Sequence, residues 1–295
     1  MTIDEEALPP STYELRDGRI TAGVRTVAKA PVRGLDAAGD QVHFYLAAFA
    51  GIPYALTRHR REIVRLIAGV TFGTGALAVI GGTVVTVAFL TAFTGIEVGL
   101  QGYSQLSDIG VEALSGFISA YINTRLVAPV IAGIALVATV GAGFTAQLGA
   151  MRVAEEIDAL EVMSVRSIPF LVSTRIIAGS VAIIPIFAGA LLSSWVFTRL
   201  IVTVGFGQST GAYDHYFSTF LIPTDIIISF VKVLGMALVI MTIHCYYGFT
   251  ASGGPAGVGQ AVGRAVRLSL VVILFTDLLL SFALYGSTDT LNISG

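Results

Sequence analysis

Three stretches of this chain carry no charged residue over lengths that water-soluble proteins rarely contain. They cover residues 66–96, 126–151 and 176–198. A helix needs about 20 consecutive apolar residues to cross a bilayer, so each stretch is long enough to span a membrane. Hydrophobic residues make up 55% of the sequence, charged residues 12%, and the mean hydropathy is +0.83. These features exclude an ordinary soluble domain and predict an all-α, polytopic membrane protein.

Two further apolar stretches contain ionisable residues. Residues 226–249 include Lys232 and His244, and residues 268–285 include Asp277. The total of five predicted spans places the two chain ends on opposite sides of the membrane. Most lysines and arginines lie before span one, between spans two and three, or just before span five. Because such residues concentrate in cytoplasmic loops, we expect an inner (plasma) membrane protein with a cytoplasmic N-terminus and an external C-terminus.

The region before the first span divides into two parts. Residues 1–35 are polar, begin with acidic rather than basic residues, and are predicted to form a cytoplasmic tail without a cleavable signal. Residues 36–65 place apolar side chains at helical spacing and end in a basic cluster from Arg58 to Arg65. This pattern predicts an amphipathic interfacial helix on the inner leaflet, kinked near Pro53. The alternative is a helix that packs against the spans instead of lying on lipid.

A short acidic segment lies between predicted spans two and three. Within residues 150–163, Val153, Ile157 and Leu160 have the spacing of one helical face. We predict a cytoplasmic coupling helix whose apolar face enters a groove on a soluble partner while its carboxylates contact a basic rim. The alternative is a solvated loop helix. The residues assigned to this coupling site are Arg152, Glu155, Glu156, Ile157, Asp158, Leu160, Glu161 and Met163.

The sequence contains no recognisable catalytic or cofactor-binding motif. It has no GxxxxGK[ST] motif, and its two lysines are Lys29 and Lys232, so it cannot hold a nucleotide in a P-loop. The glycine-rich residues 253–263 follow no strand and are predicted to form a cytoplasmic turn. Adjacent His244 and Cys245 point in different directions on a helix, which disfavours a metal site. We expect no catalytic residue, no bound cofactor or metal, and no nucleic-acid partner.

Three charged residues fall within or beside the predicted spans, where each is costly unless paired or hydrated. They are Asp225, Lys232 and Asp277. Asp225 and Lys232 share a helix face, and Asp277 lies at a depth similar to that of Lys232. A pair between Lys232 and Asp277 would fix the packing of two spans or take part in substrate gating. The sequence favours the packing role.

Two blocks carry a resemblance to a known family. Residues 124–163 and residues 246–266, YYGFTASGGPAGVGQAVGRAV, resemble the MlaE/YrbE permease family, and within it the B-type YrbE subunit of mycobacterial Mce systems. The resemblance extends over most of residues 38–285. It implies a permease domain at residues 66–287, followed by an external tail at residues 288–295.

The resemblance also implies a function and a set of partners. The chain would be one membrane subunit of an ATP-driven, ABC-type transporter of hydrophobic lipids such as fatty acids, mycolic acids or sterols. Its partners would be a second YrbE-type permease subunit, a cytoplasmic ABC ATPase dimer and external MCE-domain proteins. ATP and Mg would be bound by the ATPase, and the acidic helix would be the element that docks on it.

Departures from the family pattern favour a specialised permease subunit that forms a heterodimer with a different permease subunit. The family commonly has an arginine and a glutamate where this chain has Thr139 and Gln147, and often has a proline where Thr174 precedes Arg175. Two other functions remain open at this point. A secondary transporter or channel for a hydrophobic small molecule is the main alternative, although no internal repeat supports it. An intramembrane lipid-modifying enzyme would need a catalytic cluster that the sequence does not contain.

Overall fold

The computed structural model describes residues 39–71 and 82–286. Among these residues, five helices are long and apolar enough to cross a membrane, which confirms the all-α polytopic prediction. The predicted tails at 1–35 and 288–295 lie outside the described residues. The spans are α4 (Thr83–Ser107), α5 (Glu112–Val153), α7 (Ile168–Gly205), α9 (Pro223–Phe249) and α10 (Gly254–Tyr285).

Shorter helices precede and connect these spans. Before the first span are α1 (39–50), α2 (Ile52–Arg58) and α3 (Arg60–Thr71). The two connecting helices are α6 (Glu156–Val162) and α8 (Thr210–Phe220). We call the end of the bundle that carries α6 the α6 end and the opposite end the α8 end.

The first span lies further along the chain than predicted. It begins at Thr83 and ends at Ser107, whereas the sequence predicted residues 66–96; residues 72–81 of that range lie outside the described residues. The uncharged stretch is longer than one span needs, and the predicted span ends directly before Glu97. In the structure Glu97 lies near the middle of α4, so this carboxylate belongs to the spanning region.

Spans two and three are longer than predicted and are not uniformly α-helical. In α5, a 3₁₀ turn (Glu112–Leu114) precedes two π-helical stretches, Ser119–Val127 and Val137–Gly141. In α7, π-helical turns occupy Ile168–Ser173 and Ile201–Gly205. Such local widening of a helix is often found at functional sites.

The predicted interfacial helix is divided into three pieces. Helix α1 ends at a turn at Gly51, and Pro53 occupies the first turn of α2, where its missing N–H is tolerated. The chain divides into two compact units after Ala47. In the first unit, Val42 and Leu46 are exposed; in the second, Leu56 and Val64 are exposed. Exposed apolar side chains on these helices suit contact with lipid.

Helix α7 forms the centre of the second unit and packs most extensively against α4 and α9. Gly95 permits the close approach of α4, because a Cβ at this position would lie 2.6 Å from the carbonyl oxygen of Ser194. Thr198 Oγ1 donates to Gly95 O at 2.7 Å and joins the same two helices. Small residues at such crossings allow apolar helices to pack closely within a membrane.

Candidate functional site

The amino group of Lys232 is completely buried between α5, α9 and α10. Its Nζ lies 2.8 Å from Asp277 Oδ1, and it donates to Ser281 Oγ at 2.9 Å and to Arg125 O at 2.7 Å. The approach to Asp277 is a close ion pair, but Oδ1 accepts no well-aligned hydrogen bond. The structure therefore brings together the two charges that the sequence placed at the same depth.

The Arg125 carbonyl that accepts from Lys232 lies four residues before a proline in α5. Pro129 has no N–H to donate to the carbonyl four residues earlier, which is that of Arg125. This oxygen lies in the π-helical stretch Ser119–Val127, where backbone hydrogen bonds join residues five positions apart, and it also accepts from Lys232. Lys232 thus contacts the backbone of α5 as well as two side chains of α10.

A second buried ion pair joins α5 to α9. Arg125 Nε and Nη2 donate to Asp225 Oδ2 at 2.9 and 2.7 Å. The guanidinium also lies over two rings, 4.3 Å from the centroid of Tyr121 and 4.5 Å from that of Tyr285. These contacts hold a delocalised cation where water is scarce.

Together, Arg125, Asp225, Lys232 and Asp277 form what we call the polar network, in which two cations balance two carboxylates. Sequence reasoning identified all of them except Arg125, which directly precedes the predicted second span at residues 126–151. The signal that sequence reasoning missed is a single arginine on α5, placed where it can contact the face of α9 that carries Asp225 and Lys232. Because the charges are paired and largely desolvated, removal of one partner is far more damaging than replacement of both.

A groove of about 770 Å³ lies beside the polar network, between α4, α5 and α10. Its apolar wall includes Leu126, Val130 and Leu274. Its polar lining consists of Thr94, Glu97, Asp277 and Ser281. This volume is within the range of sites that bind lipid-sized or drug-sized molecules, which are mostly apolar with a few polar groups.

The acidic segment between spans two and three forms a separate short helix. Glu155 has a φ of +57°, a left-handed conformation that ends α5 and starts α6 in a new direction. At its other end, Ser164 N donates to Glu161 O at 2.9 Å and Val165 N to Leu160 O at 3.0 Å. These bonds close α6 with the chain reversal typical of a Schellman motif.

Because the chain changes direction at Glu155, the predicted apolar side chains of this segment do not form one continuous face. Ile157 is completely buried within the chain, so it is not available to a partner, and Leu160 is half-buried. Val153 belongs to α5 and does not continue the face of α6. At the end of α6, the large exposed apolar side chains are instead Val162, 86% exposed, and Met163, 65% exposed.

The predicted acidic surface is present on α6. Glu155, Glu156, Asp158 and Glu161 are exposed. Arg152 Nη1 donates to Asp158 Oδ1 at 2.6 Å, and Ser167 Oγ donates to Glu161 Oε1 at 2.6 Å. A surface cavity of about 390 Å³ lies next to these residues and is lined by the chain from Glu161 to Pro169. A charged rim, exposed apolar side chains and an adjoining cavity suit the docking of another protein.

One buried cation has no counter-ion among the described residues. Arg175 donates to Leu171 O at 3.0 Å and to Gln147 Oε1 at 3.5 Å, and its guanidinium lies 5.6 Å from the centroid of Phe144. Its Nε is buried without a partner. The neutral Gln147 thus offers this arginine an amide oxygen and no compensating charge.

At the α8 end, a solvent-exposed charge pair joins the last turns of span α7 to the connecting helix α8. Arg199 donates to both carboxylate oxygens of Asp214, at 2.7 and 2.8 Å. These hydrogen bonds lower the pKa of Asp214 below its ordinary value. The neighbouring Tyr213 is buried, and burial raises its pKa to about 12. Across residues 39–71 and 82–286, no group of three His, Cys, Asp or Glu side chains has the arrangement of a metal site.

Comparison with known proteins places this architecture in a family. The family described as Permease MlaE matches residues 72–283, and this match confirms the family resemblance. A probable ABC transporter permease of Rickettsia bellii is 33% identical over 204 residues, which cover 66% of this chain and 75% of that protein. A probable ABC transporter permease of Synechocystis is 28% identical over 214 residues, which cover 72% of this chain and 81% of that protein.

A plant protein is also similar to this chain. Protein TRIGALACTOSYLDIACYLGLYCEROL 1, chloroplastic, of Arabidopsis thaliana is 30% identical over 207 residues, which cover 70% of this chain and 59% of that protein. Assignment to the B-type YrbE group remains a prediction. The spans, the family match and these relatives establish that this multi-pass membrane protein belongs to the MlaE permease family.

Proposed function

We propose that this chain is one permease subunit of an ABC-type lipid transporter and that α6 is the surface on which a cytoplasmic ATPase dimer docks. The observation that carries the proposal is the exposed acidic helix with Val162 and Met163 at its end. A transporter subunit without a nucleotide motif needs ATP hydrolysis to act on it through contact with another protein. ATP and Mg belong to that partner, and this chain has no catalytic role.

The groove beside the polar network is the proposed lipid site. An acyl chain or sterol ring system gains free energy when it leaves water for an apolar wall, and the groove offers such a wall over about 770 Å³. The polar network forms one side of the groove through Asp277. Its charges also join α5, α9 and α10, so a movement of one span changes the shape of the lipid site.

The remaining partners follow from the same proposal. A second YrbE-type subunit completes the permease, and MCE-domain proteins receive or deliver lipid on the external side. The α6 end then faces the cytoplasm in the inner (plasma) membrane. The N-terminus is cytoplasmic and the C-terminus is external.

Cysteine labelling tests this orientation. Ser209 at the α8 end and Ser252 at the α6 end are both exposed, whereas native Cys245 is buried. A membrane-impermeant thiol reagent should label Ser209→Cys in intact cells, and should label Ser252→Cys only after the cells are opened. Labelling of both positions in intact cells would contradict the proposed topology.

The docking proposal is tested by purification of the tagged chain in mild detergent with mass spectrometry of its partners. The native chain and Ile109→Asp should both retain an ATPase and a second permease, because Ile109 is 72% exposed at the opposite end from α6. Val162→Asp should retain the second permease and lose the ATPase. A native chain that purifies without any ATPase would favour the secondary transporter or channel.

A further inference from the structure

The groove contains almost no free hydrogen-bond donor for an anionic ligand. An ammonium group has three donors, and Lys232 directs them to Arg125 O, to Ser281 Oγ and towards Asp277 Oδ1. Lys232 is completely buried behind Asp277. Thr94 Oγ1 donates to Thr91 O at 3.0 Å, so its proton is used as well. A carboxylate or phosphate head group would find no unoccupied cation in the described wall of this groove.

The same groove has unfilled hydrogen-bond acceptors. Asp277 is 6% exposed and lines the groove; its Oδ1 is buried 2.8 Å from Lys232, whereas its Oδ2 accepts no hydrogen bond from the described residues. A carboxylate has capacity for about four hydrogen bonds. Ser281 accepts from Lys232 and keeps its own hydroxyl proton for another group. Together, Asp277 and Ser281 can accept one hydrogen bond from a ligand and donate one to it.

The charge of the groove reinforces this arrangement. Lys232 neutralises Asp277, but Glu97 forms no ion pair within the described part of the chain and receives only a hydrogen bond from Gln101, at 2.5 Å. The lining therefore carries one uncompensated negative charge. A ligand anion placed between α4 and α10 would be repelled by Glu97, and in a poorly hydrated site that repulsion is stronger than in water.

We propose that this groove selects lipids whose head group is an uncharged hydroxyl and discriminates against lipids with a carboxylate or phosphate head group. The hydroxyl donates to Asp277 and accepts from Ser281, while the hydrocarbon lies along the α5 and α10 wall. This selectivity rests on the proposed lipid-transport function and narrows its substrate class. Glu97, which lines the groove from α4, is the main residue that rejects anions.

The test uses two photoactivatable probes with identical sixteen-carbon chains, hexadecanol and palmitate, at an alkaline pH that ionises the carboxylate. The purified chain in detergent is cross-linked with each probe, and unlabelled hexadecanol or palmitate is added as competitor. Hexadecanol should bind at least about tenfold more tightly than palmitate. Mass spectrometry should locate the cross-links on groove residues such as Leu126 or Leu274.

Glu97→Gln provides the decisive variant. It should raise palmitate binding by about fivefold and leave hexadecanol binding nearly unchanged, because only the anion is relieved of repulsion. Asp108→Asn is the matched control: it removes an exposed carboxylate at the α8 end, outside the groove, and should leave the preference intact. Equal binding of the two lipids to the native chain, or an unchanged preference in Glu97→Gln, would overturn the proposed selectivity.

The outcomes also separate this inference from the proposed function. Cross-linking of both probes in the groove with no preference would leave lipid transport standing and contradict the selectivity alone. Cross-links confined to other surfaces would contradict the groove assignment. Loss of ATPase co-purification from the native chain would instead contradict the transporter proposal, and lipid binding does not affect that measurement.

Discussion

Two regions of this permease concentrate charge, and they use it in opposite ways. In the polar network, Arg125, Asp225, Lys232 and Asp277 are buried and paired, and Lys232 is completely inaccessible. At the start of α6, Glu155, Glu156 and Asp158 are exposed. Charges buried within spans must satisfy one another, so they hold helices together. Charges exposed on a surface helix contribute little to the fold and remain accessible to another protein.

The largest expected effect is on the polar network. Asp277→Asn leaves the Lys232 ammonium buried without its carboxylate and should lower the free energy of unfolding by about 3 to 5 kcal/mol. The double variant Lys232→Met with Asp277→Asn should lose less than either single variant, because no unpaired charge remains. Denaturant titration in mixed micelles measures all three. Additive losses would show that the two charges are not coupled.

The second prediction contrasts two apolar residues of α6. Ile157→Asp places a carboxylate in a fully buried position and should cost about 3 kcal/mol or more of folding stability. Val162→Asp alters a side chain that is 86% exposed and should change stability by less than about 0.5 kcal/mol. Thermal unfolding of the purified variants separates them. Similar losses for both would contradict the division of α6 into a buried and an exposed face.

The third prediction concerns the carboxylates of α6. Glu156→Gln should weaken ATPase binding on the order of two- to fivefold at low salt, because a rim charge acts mainly through long-range attraction. The difference from the native chain should shrink as the salt concentration rises. Titration of the ATPase against immobilised permease at several salt concentrations measures it, with Asp108→Asn as the control. A loss that persists at high salt would indicate a buried contact instead of a charged rim.

The smallest effect is expected at the exposed pair of Arg199 and Asp214. Asp214→Asn should cost less than about 1 kcal/mol at neutral pH, because both side chains are well solvated. The pKa of Asp214 is lowered in the folded state, so the pair stabilises the fold above the ordinary value near 3.8. That contribution disappears as the pH falls through the lowered pKa. Unfolding midpoints of native and variant chains should therefore converge in acid, and a constant gap would argue against this pair.

The spans could be predicted because uncharged stretches of sufficient length have few alternatives to crossing a membrane. The start of span one could not be predicted, because the uncharged stretch at 66–96 is longer than one membrane crossing and contains no signal for where the helix begins. Glu97 was misplaced for the same reason. A single carboxylate is costly in a bilayer on its own but is tolerated where it lies beside other polar groups in a groove, and sequence spacing does not reveal such a groove.

The candidate site was predictable only in part. Equal depth indicated that Lys232 and Asp277 could meet, and the structure brings them within 2.8 Å. The role of Arg125 depends on the contact of its carbonyl with Lys232 and on the pairing of α5 with α9, neither of which has a local sequence signal. The burial of Ile157 follows from the left-handed conformation of Glu155. Non-glycine residues rarely adopt this conformation. The prediction therefore continued one helical periodicity through Glu155 and placed Ile157 on the exposed apolar face.

The most direct test of the account is lipid-stimulated ATP hydrolysis in reconstituted membranes that contain the permease pair and its ATPase. Native chain and Ile109→Asp should stimulate hydrolysis equally, whereas Val162→Asp should fold normally, bind lipid and give only the basal rate of the ATPase. This result would show that the exposed end of α6 connects the lipid site to the ATPase. Full stimulation by Val162→Asp would contradict the central claim that α6 is the docking helix.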